Sequence, residues 1–95
     1  MTRIPTHPGE MLLHEFMKPY GLSSNKVAKM LGVPANRISE LVAERRSMTA
    51  DTALRLERLF GMPTYMWMGF QQAYDVAVAS EAIDLSAIKP FKSAA

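Results

Sequence analysis

The sequence contains no cysteine, which excludes a disulfide framework, a thiol nucleophile and a zinc or iron–sulfur site with thiolate ligands. It also contains no apolar run of the roughly 20 residues that a membrane-spanning helix requires. The first ten residues lack the apolar core of a signal peptide. These absences predict a protein without disulfides and without a membrane partner, which works in the cytoplasm.

Catalytic and metal-binding patterns are missing as well. The two histidines, His7 and His14, are seven residues apart, and no carboxylate pair or His/Glu spacing makes a convincing metal site. No glycine-rich loop could cradle a phosphate, and no serine stands in a nucleophile elbow. We therefore expect both histidines to be solvated, and we predict neither an enzyme nor a bound metal or cofactor.

What is present is a chain of 95 residues, enough for one domain, with the 48% hydrophobic and 21% charged residues of an ordinary globular protein. The net charge is only +2, but it is unevenly distributed. Residues 18–58 hold eight basic and four acidic side chains, whereas residues 62–95 hold two basic and three acidic ones. Positive charge concentrated in the middle of the chain suits a nucleic-acid partner.

Helix-starting and helix-breaking residues divide the chain into five helical segments, and no segment alternates like a β-strand. Each segment begins at a proline or at a serine or threonine cap, and glycine ends several of them. The starts are Pro8, Ser23, Pro34, Thr49 and the pair Pro63-Thr64, and the glycine stops are Gly21, Gly32 and Gly61. The predicted fold is all-α, with one domain over residues 1–80 and a short tail over residues 81–95.

Residues 24–43 have the pattern of a helix-turn-helix. Ala28 is small where the two helices must approach each other, and Gly32 follows where the sharp turn requires a positive φ. Ile38 and Leu41 supply apolar contacts from the second helix. Such a corner exposes the first part of its second helix, which can enter the major groove of DNA. A helical bundle can carry this spacing by chance, but the flanking basic residues favour the DNA-binding interpretation.

The exposed face of the second motif helix carries the candidates for reading bases. Asn36 can form a bidentate pair with adenine, and Arg37 can bind guanine or a phosphate. Ser39 could reach a base or a phosphate, whereas Glu40 would either accept from cytosine N4 or repel phosphate. The alternative for Asn36 is that it only solvates the first turn of its helix.

A second group of residues is predicted to contact phosphates. Ser24 and Asn25 lie at the start of the first motif helix, where free N–H groups and the helix dipole favour an anion, and Lys26 adds a charge there. Arg45 and Arg46 follow the second helix, where the loop would return to a phosphate strand. The alternatives are that Ser24 only caps its helix and that the two arginines are ordinary loop charge.

A single helix-turn-helix reads only a few base pairs, so useful specificity needs two half-sites about 34 Å apart and therefore two paired subunits. The fifth helix is the candidate for pairing because its aromatic cluster offers more apolar surface than one face can bury. The predicted interface residues are Tyr65, Met66, Trp67, Phe70 and Tyr74. Alternatively, these side chains complete the core of a single chain.

The motif and its flanking sequences resemble a known family. The segments are His-Pro-Gly-Glu-Met-Leu at 7–12, Pro-Tyr-Gly-Leu-Ser at 19–23, Thr-Ala-Leu-Arg-Leu at 52–56, Trp67, and Gln-Gln-Ala-Tyr-Asp at 71–75. Together they look like the HigA-type antitoxins, a branch of the Xre-like (lambda-repressor-like) helix-turn-helix proteins. The resemblance covers roughly residues 5–80. One departure is Ser24, where many Xre-like proteins have a glutamine that reaches further.

This resemblance implies a five-helix DNA-binding domain that forms a homodimer and binds a palindromic operator in its own promoter. It also implies neutralisation of a HigB-type toxin, a ribosome-dependent mRNA endonuclease. Two alternatives remain open. One is an Xre-like transcription regulator without a toxin, and the other is a dimeric protein-interaction module that uses the helix-turn-helix only as a scaffold.

Overall fold

The computed structural model describes residues 4–92, and within these residues it contains five helices and no β-strand, which confirms the predicted all-α class. The first helix, α1, starts at Pro8 and ends at Tyr20. The other four helices are α2 (Ser24–Leu31), α3 (Ala35–Val42), α4 (Ala50–Phe60) and α5 (Thr64–Ala82). No helix in the described part of the chain is long and apolar enough to cross a membrane.

The winding of α1 changes twice along its length. It begins as an α-helical turn, Pro8–Met11, continues as a π-helical stretch, Leu12–Met17, and closes with a 3₁₀ turn, Lys18–Tyr20. The wider π winding brings residues five apart onto one face. Leu12 and Met17 are five apart, and both are fully buried in the core. Gly21 then ends the helix with a φ of 65°.

The predicted caps and stops define the remaining helices. Ser23 Oγ accepts a hydrogen bond from Lys26 N at 3.1 Å, and Thr49 Oγ1 accepts one from Thr52 N at 3.4 Å. Gly32 and Gly61 end α2 and α4 in the left-handed region, with φ of 73° and 88°. These local rules therefore predicted the boundaries of α2 and α4 correctly.

The core is built around Trp67, whose side chain has no exposed surface. Its ring packs 5.5 Å from Phe16, which in turn lies 5.1 Å from Phe60. The other fully buried residues include Leu12, Val27, Ile38, Leu41 and Leu56. Trp67 therefore belongs to the core of one chain, and its predicted place in a dimer interface is wrong because it has no surface to offer.

His7 is also placed differently from the prediction. It is only 3% exposed, its Nδ1 accepts a hydrogen bond from Gly9 N at 2.9 Å, and its ring meets Tyr74 edge to face at 4.8 Å. His7 is thus the N-cap of α1 and a packing partner of α5 rather than a solvated side chain. His14 is exposed, as predicted.

Gly9 brings the start of α1 directly against the end of α3. A Cβ atom at this position would lie 1.8 Å from the carbonyl oxygen of Leu41. Only a residue without a side chain allows the two backbones to approach this closely. The contact fixes α3, the second helix of the motif, relative to the N-terminal segment.

The chain continues beyond α5 without regular helix, and residues 83–92 are exposed. The last part of the predicted tail, residues 93–95, lies outside the described residues.

We predict that Gly9→Ala lowers the free energy of unfolding by several kcal/mol, because the backbones of α1 and α3 must separate to accommodate the new methyl group. Urea denaturation at a fixed protein concentration measures the change. Thr6→Ala, at an exposed position three residues earlier, is the control and should change stability by less than about 0.5 kcal/mol. Equal stability of Gly9→Ala and the native chain would contradict the close contact.

Candidate nucleic-acid interface

The two motif helices, α2 and α3, are joined by a turn of three residues. Gly32 adopts a left-handed conformation, and Val33 N donates a hydrogen bond to the Ala28 carbonyl at 3.0 Å. Ala28 is 2% exposed, which agrees with the expected close approach of the helices. The buried side of α3 carries Ile38 and Leu41. This packing leaves the opposite side of α3 available to a partner.

The four predicted base-reading residues all lie outside the core. Asn36 is exposed in the first turn of α3, and Arg37, Ser39 and Glu40 are half-buried. Ser39 Oγ lies 3.5 Å from the Asn36 carbonyl oxygen, a long contact that leaves the hydroxyl free to take another partner. The Asn36 side chain makes no hydrogen bond within residues 4–92, so its amide is available for a base edge.

Arg37 is held by an acidic residue of another helix. Its Nη1 lies 2.7 Å from Asp51 Oδ1, and the same oxygen accepts from Arg55 Nε at 2.8 Å. Arg55 also donates from Nη1 to the Leu31 carbonyl at 2.7 Å, at the C-terminal end of α2. One carboxylate thus links the motif helix α3 to α4, and the same Arg55 ties α4 to α2.

The sequence interpretation missed this bridge. Asp51 and Arg55 have the i, i+4 spacing of a helical ion pair, which could have been recognised. Arg37 is 14 residues from Asp51, and no spacing rule connects residues at that separation. The pKa of the Asp51 carboxyl is lowered, first by its hydrogen bond to Arg55 and then by Arg37. Asp51 is therefore ionised at neutral pH and partly offsets the two positive charges.

Glu40 is engaged in a similar way at the end of α3. Its Oε1 accepts from Arg46 Nε at 3.2 Å and from Arg46 Nη2 at 2.8 Å. The Glu40 backbone carbonyl also accepts from Arg45 N at 2.9 Å. Arg46 is thus held beside the motif helix, whereas the exposed Arg45 side chain makes no ion pair within the described residues.

The start of α2 carries unpaired backbone donors. Ser23 is the N-cap, and its side chain takes the N–H group of Lys26. The N–H groups of Ser24 and Asn25 have no acceptor within residues 4–92. The side chains of Asn25 and Lys26 are exposed, and Ser24 is half-buried. Two free N–H groups at the positive end of a helix dipole, beside a lysine, are suited to bind a phosphate.

The loop that carries Arg45 and Arg46 is anchored to α5 by a buried side chain. Gln71 is 5% exposed, and its Oε1 accepts from Met48 N at 2.7 Å. Its Nε2 donates to Asp75 Oδ1 at 2.9 Å, which fixes the orientation of the amide. No spacing rule from the sequence identified Gln71 as an anchor, because Met48 is 23 residues away.

Comparison with known proteins agrees with this geometry. A helix-turn-helix family model matches residues 13–67. Over 75 residues the chain is 51% identical to virulence-associated protein I of Dichelobacter nodosus, covering 79% of this chain and 69% of that protein. It is 38% identical to the structure of the Pseudomonas aeruginosa antitoxin HigA with the higBA promoter, with a TM-score of 0.80 and coverage of 82% and 85%. The chain belongs to the HigA-type branch of the Xre-like helix-turn-helix family.

A second structure, the antitoxin GraA in complex with its operator, is 32% identical. It has a TM-score of 0.84 and covers 95% of this chain and 93% of its own. In this HigA-type chain, two of the segments that carried the resemblance, 7–12 and 71–75, contact each other through His7 and Tyr74. They therefore position α1 and α5, whereas the surface suited to DNA lies on α2 and α3.

We predict that Gln71→Leu lowers the free energy of unfolding by about 1–3 kcal/mol, because it leaves the buried N–H of Met48 without an acceptor. Gln72→Ala, at the exposed neighbouring position, is the control and should have a small effect. Urea denaturation measures both variants at the same protein concentration. A loss in Gln71→Leu no larger than in Gln72→Ala would contradict the anchoring role.

The Asp51 bridge predicts a pH dependence of stability. Because the folded pKa of Asp51 lies below its ordinary value of 3.8, its contribution is present above that value and is lost as the pH falls through the folded pKa. We expect the melting temperature to fall less between pH 6 and pH 3 in Asp51→Asn than in the native chain. Glu81→Gln, which removes an exposed carboxylate of α5, is the control. If the melting temperature of Asp51→Asn falls as much between pH 6 and pH 3 as that of the native chain, the stabilising role of the Asp51 bridge is contradicted.

Proposed function

We propose that this chain is a sequence-specific DNA-binding antitoxin that acts in the cytoplasm. It represses its own operon as a homodimer on a palindromic operator, and it neutralises a HigB-type mRNA endonuclease. The observation that carries the proposal is the exposed first turn of α3, presented by a helix-turn-helix similar to that of an antitoxin HigA solved with promoter DNA.

We assign the recognition of DNA bases to the outer side of α3. Asn36 is exposed and its amide can pair with adenine N6 and N7. Arg37 has free donors besides the one that contacts Asp51, so it can reach guanine or a phosphate while the bridge is kept. Ser39 adds a hydroxyl one turn later. Glu40 remains a candidate for cytosine N4, but its pairing with Arg46 favours a positioning role.

Phosphate binding is assigned to the two ends of the motif. The N–H groups of Ser24 and Asn25 and the Lys26 ammonium form one contact, at the start of α2. Arg45 and Arg46 form the other, in the loop after α3. Because the Glu40 pair is partly exposed, its free energy is small, and Arg46 can exchange the carboxylate for a phosphate at low cost.

Pairing of two chains is assigned to the outer side of α5. Tyr65 is 75% and Met66 is 38% exposed, which supports their place in the interface. Phe70 and Tyr74 are half-buried, so each has only part of its ring available to a second chain. Two paired chains would present two copies of α3 to half-sites about one helical turn apart.

The DNA assignment is tested by a salt titration of binding to the DNA upstream of the gene and to scrambled DNA of equal length. We expect Asn36→Ala to cost about 1–3 kcal/mol on the operator and to relax specificity at one base position. Arg46→Ala should weaken both DNAs alike and reduce the salt slope by about one unit. If Asn36→Ala and Arg46→Ala lose operator specificity equally, these roles are contradicted. If the native chain binds both DNAs equally and weakly, the alternative of a protein-interaction module with a helix-turn-helix scaffold is favoured.

The toxin assignment requires a separate test with the product of the adjacent reading frame. A purified complex that blocks ribosome-dependent mRNA cleavage would support it. Operator binding without any complex would leave a transcription regulator of the same family, and the DNA assignment would stand.

A further inference from the structure

Residues 83–92, here called the C-terminal arm, follow a defined path but bury none of their apolar side chains. Ile83 N donates to the Ala79 carbonyl, Ser86 N donates to Asp84 Oδ1, and Ile88 N donates to the Leu85 carbonyl. The exposed fractions are 55% for Ile83, 59% for Leu85, 68% for Ile88 and 76% for Phe91. Four large apolar side chains on a hydrogen-bonded segment indicate a surface that packs against a partner.

The outer side of α5 carries an open groove of about 550 Å³ that no side chain of the arm enters. Pro5 forms one wall, and the floor is made by small or short residues of α5, among them Gly69, Ala73, Val76 and Ala77. Spacings of three and four place these residues on one face of the helix. The floor can therefore accept apolar side chains of an incoming segment.

Gly69 points to the same conclusion. Glycine weakens the interior of a helix relative to alanine, so its presence needs a reason in packing or backbone conformation. A Cβ at Gly69 would meet no atom within 4 Å, and its φ is not positive. The packing of a single chain therefore does not require glycine here. A segment from another molecule lying close to the helix backbone would give such a reason.

We propose that the C-terminal arm of one chain occupies the α5 groove of a second copy, and that the arm of the second copy occupies the α5 groove of the first. The proposal rests on the homodimer of the proposed function. A second copy is the occupant because no residue of the arm lines the groove of its own chain, and the chain is elongated, with dimensions of 53 × 24 × 21 Å.

Charge supports a second copy as well. Helix α5 carries two carboxylates, Asp75 and Glu81, and no basic residue, whereas the arm carries Lys89 and Lys92 against Asp84. The lining of the groove itself is uncharged, but the net charges of the arm and of helix α5 as a whole are opposite in sign, which favours their association.

The two arms add apolar area to the contact between two chains. A standard interface buries about 800 Å² on each partner. Two ten-residue arms exchange at once, and a single aromatic side chain such as Phe91 can bury about 150–250 Å². The exposed Tyr65 and Met66 add further apolar surface on α5 to that supplied by the four large apolar side chains of each arm.

The test is the dimer dissociation constant of the full-length chain, measured by sedimentation velocity over a concentration series. Ile88→Ser/Phe91→Ser removes two side chains that are 68% and 76% exposed in a single chain and lie outside the helices, so helix content should be unchanged. We expect the dissociation constant to rise at least about tenfold, as for central interface residues. Leu54→Ser, at a 59% exposed apolar position on α4, is the matched control and should stay within about twofold of the native value.

Gly69→Met tests the groove from the other side. The new side chain enters open space and improves helix propensity, so the chain folds, but it fills the site of the arm. We expect the dimer dissociation constant of Gly69→Met to rise by about the same factor as that of the arm variant.

The proposal is overturned if both variants have the same dimer dissociation constant as the native chain. It is also overturned if the native chain stays monomeric at every concentration of the series. Operator binding in the same samples separates this failure from that of the proposed function. If the arm variant remains dimeric and still prefers the operator to scrambled DNA, the arm exchange is refuted and DNA binding stands.

Discussion

The contact between Gly9 and the Leu41 carbonyl is the constraint on which the arrangement of the motif depends. It presses the first turn of α1 against the last turn of α3, at a distance that excludes any side chain. His7 caps that first turn, and Tyr74 of α5 covers the His7 ring. Three helices distant in sequence therefore meet at one point. The outward side of α3 keeps its orientation because its inward end is fixed there, beside the buried Ile38 and Leu41.

Three carboxylates hold the polar surface in a comparable way. Asp51 links Arg37 to Arg55, Glu40 holds Arg46, and Glu57 accepts from Thr64 N at 3.0 Å at the start of α5. The pKa of Glu57 is lowered by its hydrogen bonds to the Thr64 side chain and backbone. Exposed ion pairs contribute only about 0–1 kcal/mol each. The ion pairs of Asp51 and Glu40 therefore orient basic side chains, but they are weak enough for a phosphate or a base to compete with the carboxylate.

Local chemistry predicted the helices and the exposed side of α3, because caps, left-handed glycines and the spacing of Ile38 and Leu41 act between neighbours in the sequence. The same rules failed where the deciding contact is remote. His7 is buried because Tyr74, from the far end of the domain, packs on its ring. The aromatic pattern of α5 did not identify Trp67 as core rather than interface, since a stripe of apolar residues does not reveal how wide a face the rest of the chain will cover.

Helix α5 is longer than the core of one chain needs. Of its 19 residues, only Trp67 and Gln71 are buried, and both lie in its first half. Packing of the domain stabilises that half and leaves the second half, with Val76 and Val78, largely in water. A helix retains such an extension when its apolar side is covered by another molecule, because exposed apolar surface of this extent otherwise opposes solubility. In the proposed dimer, folding of one chain and pairing of two would use different faces of the same helix, with Trp67 inside and Gly69 outside, two residues apart.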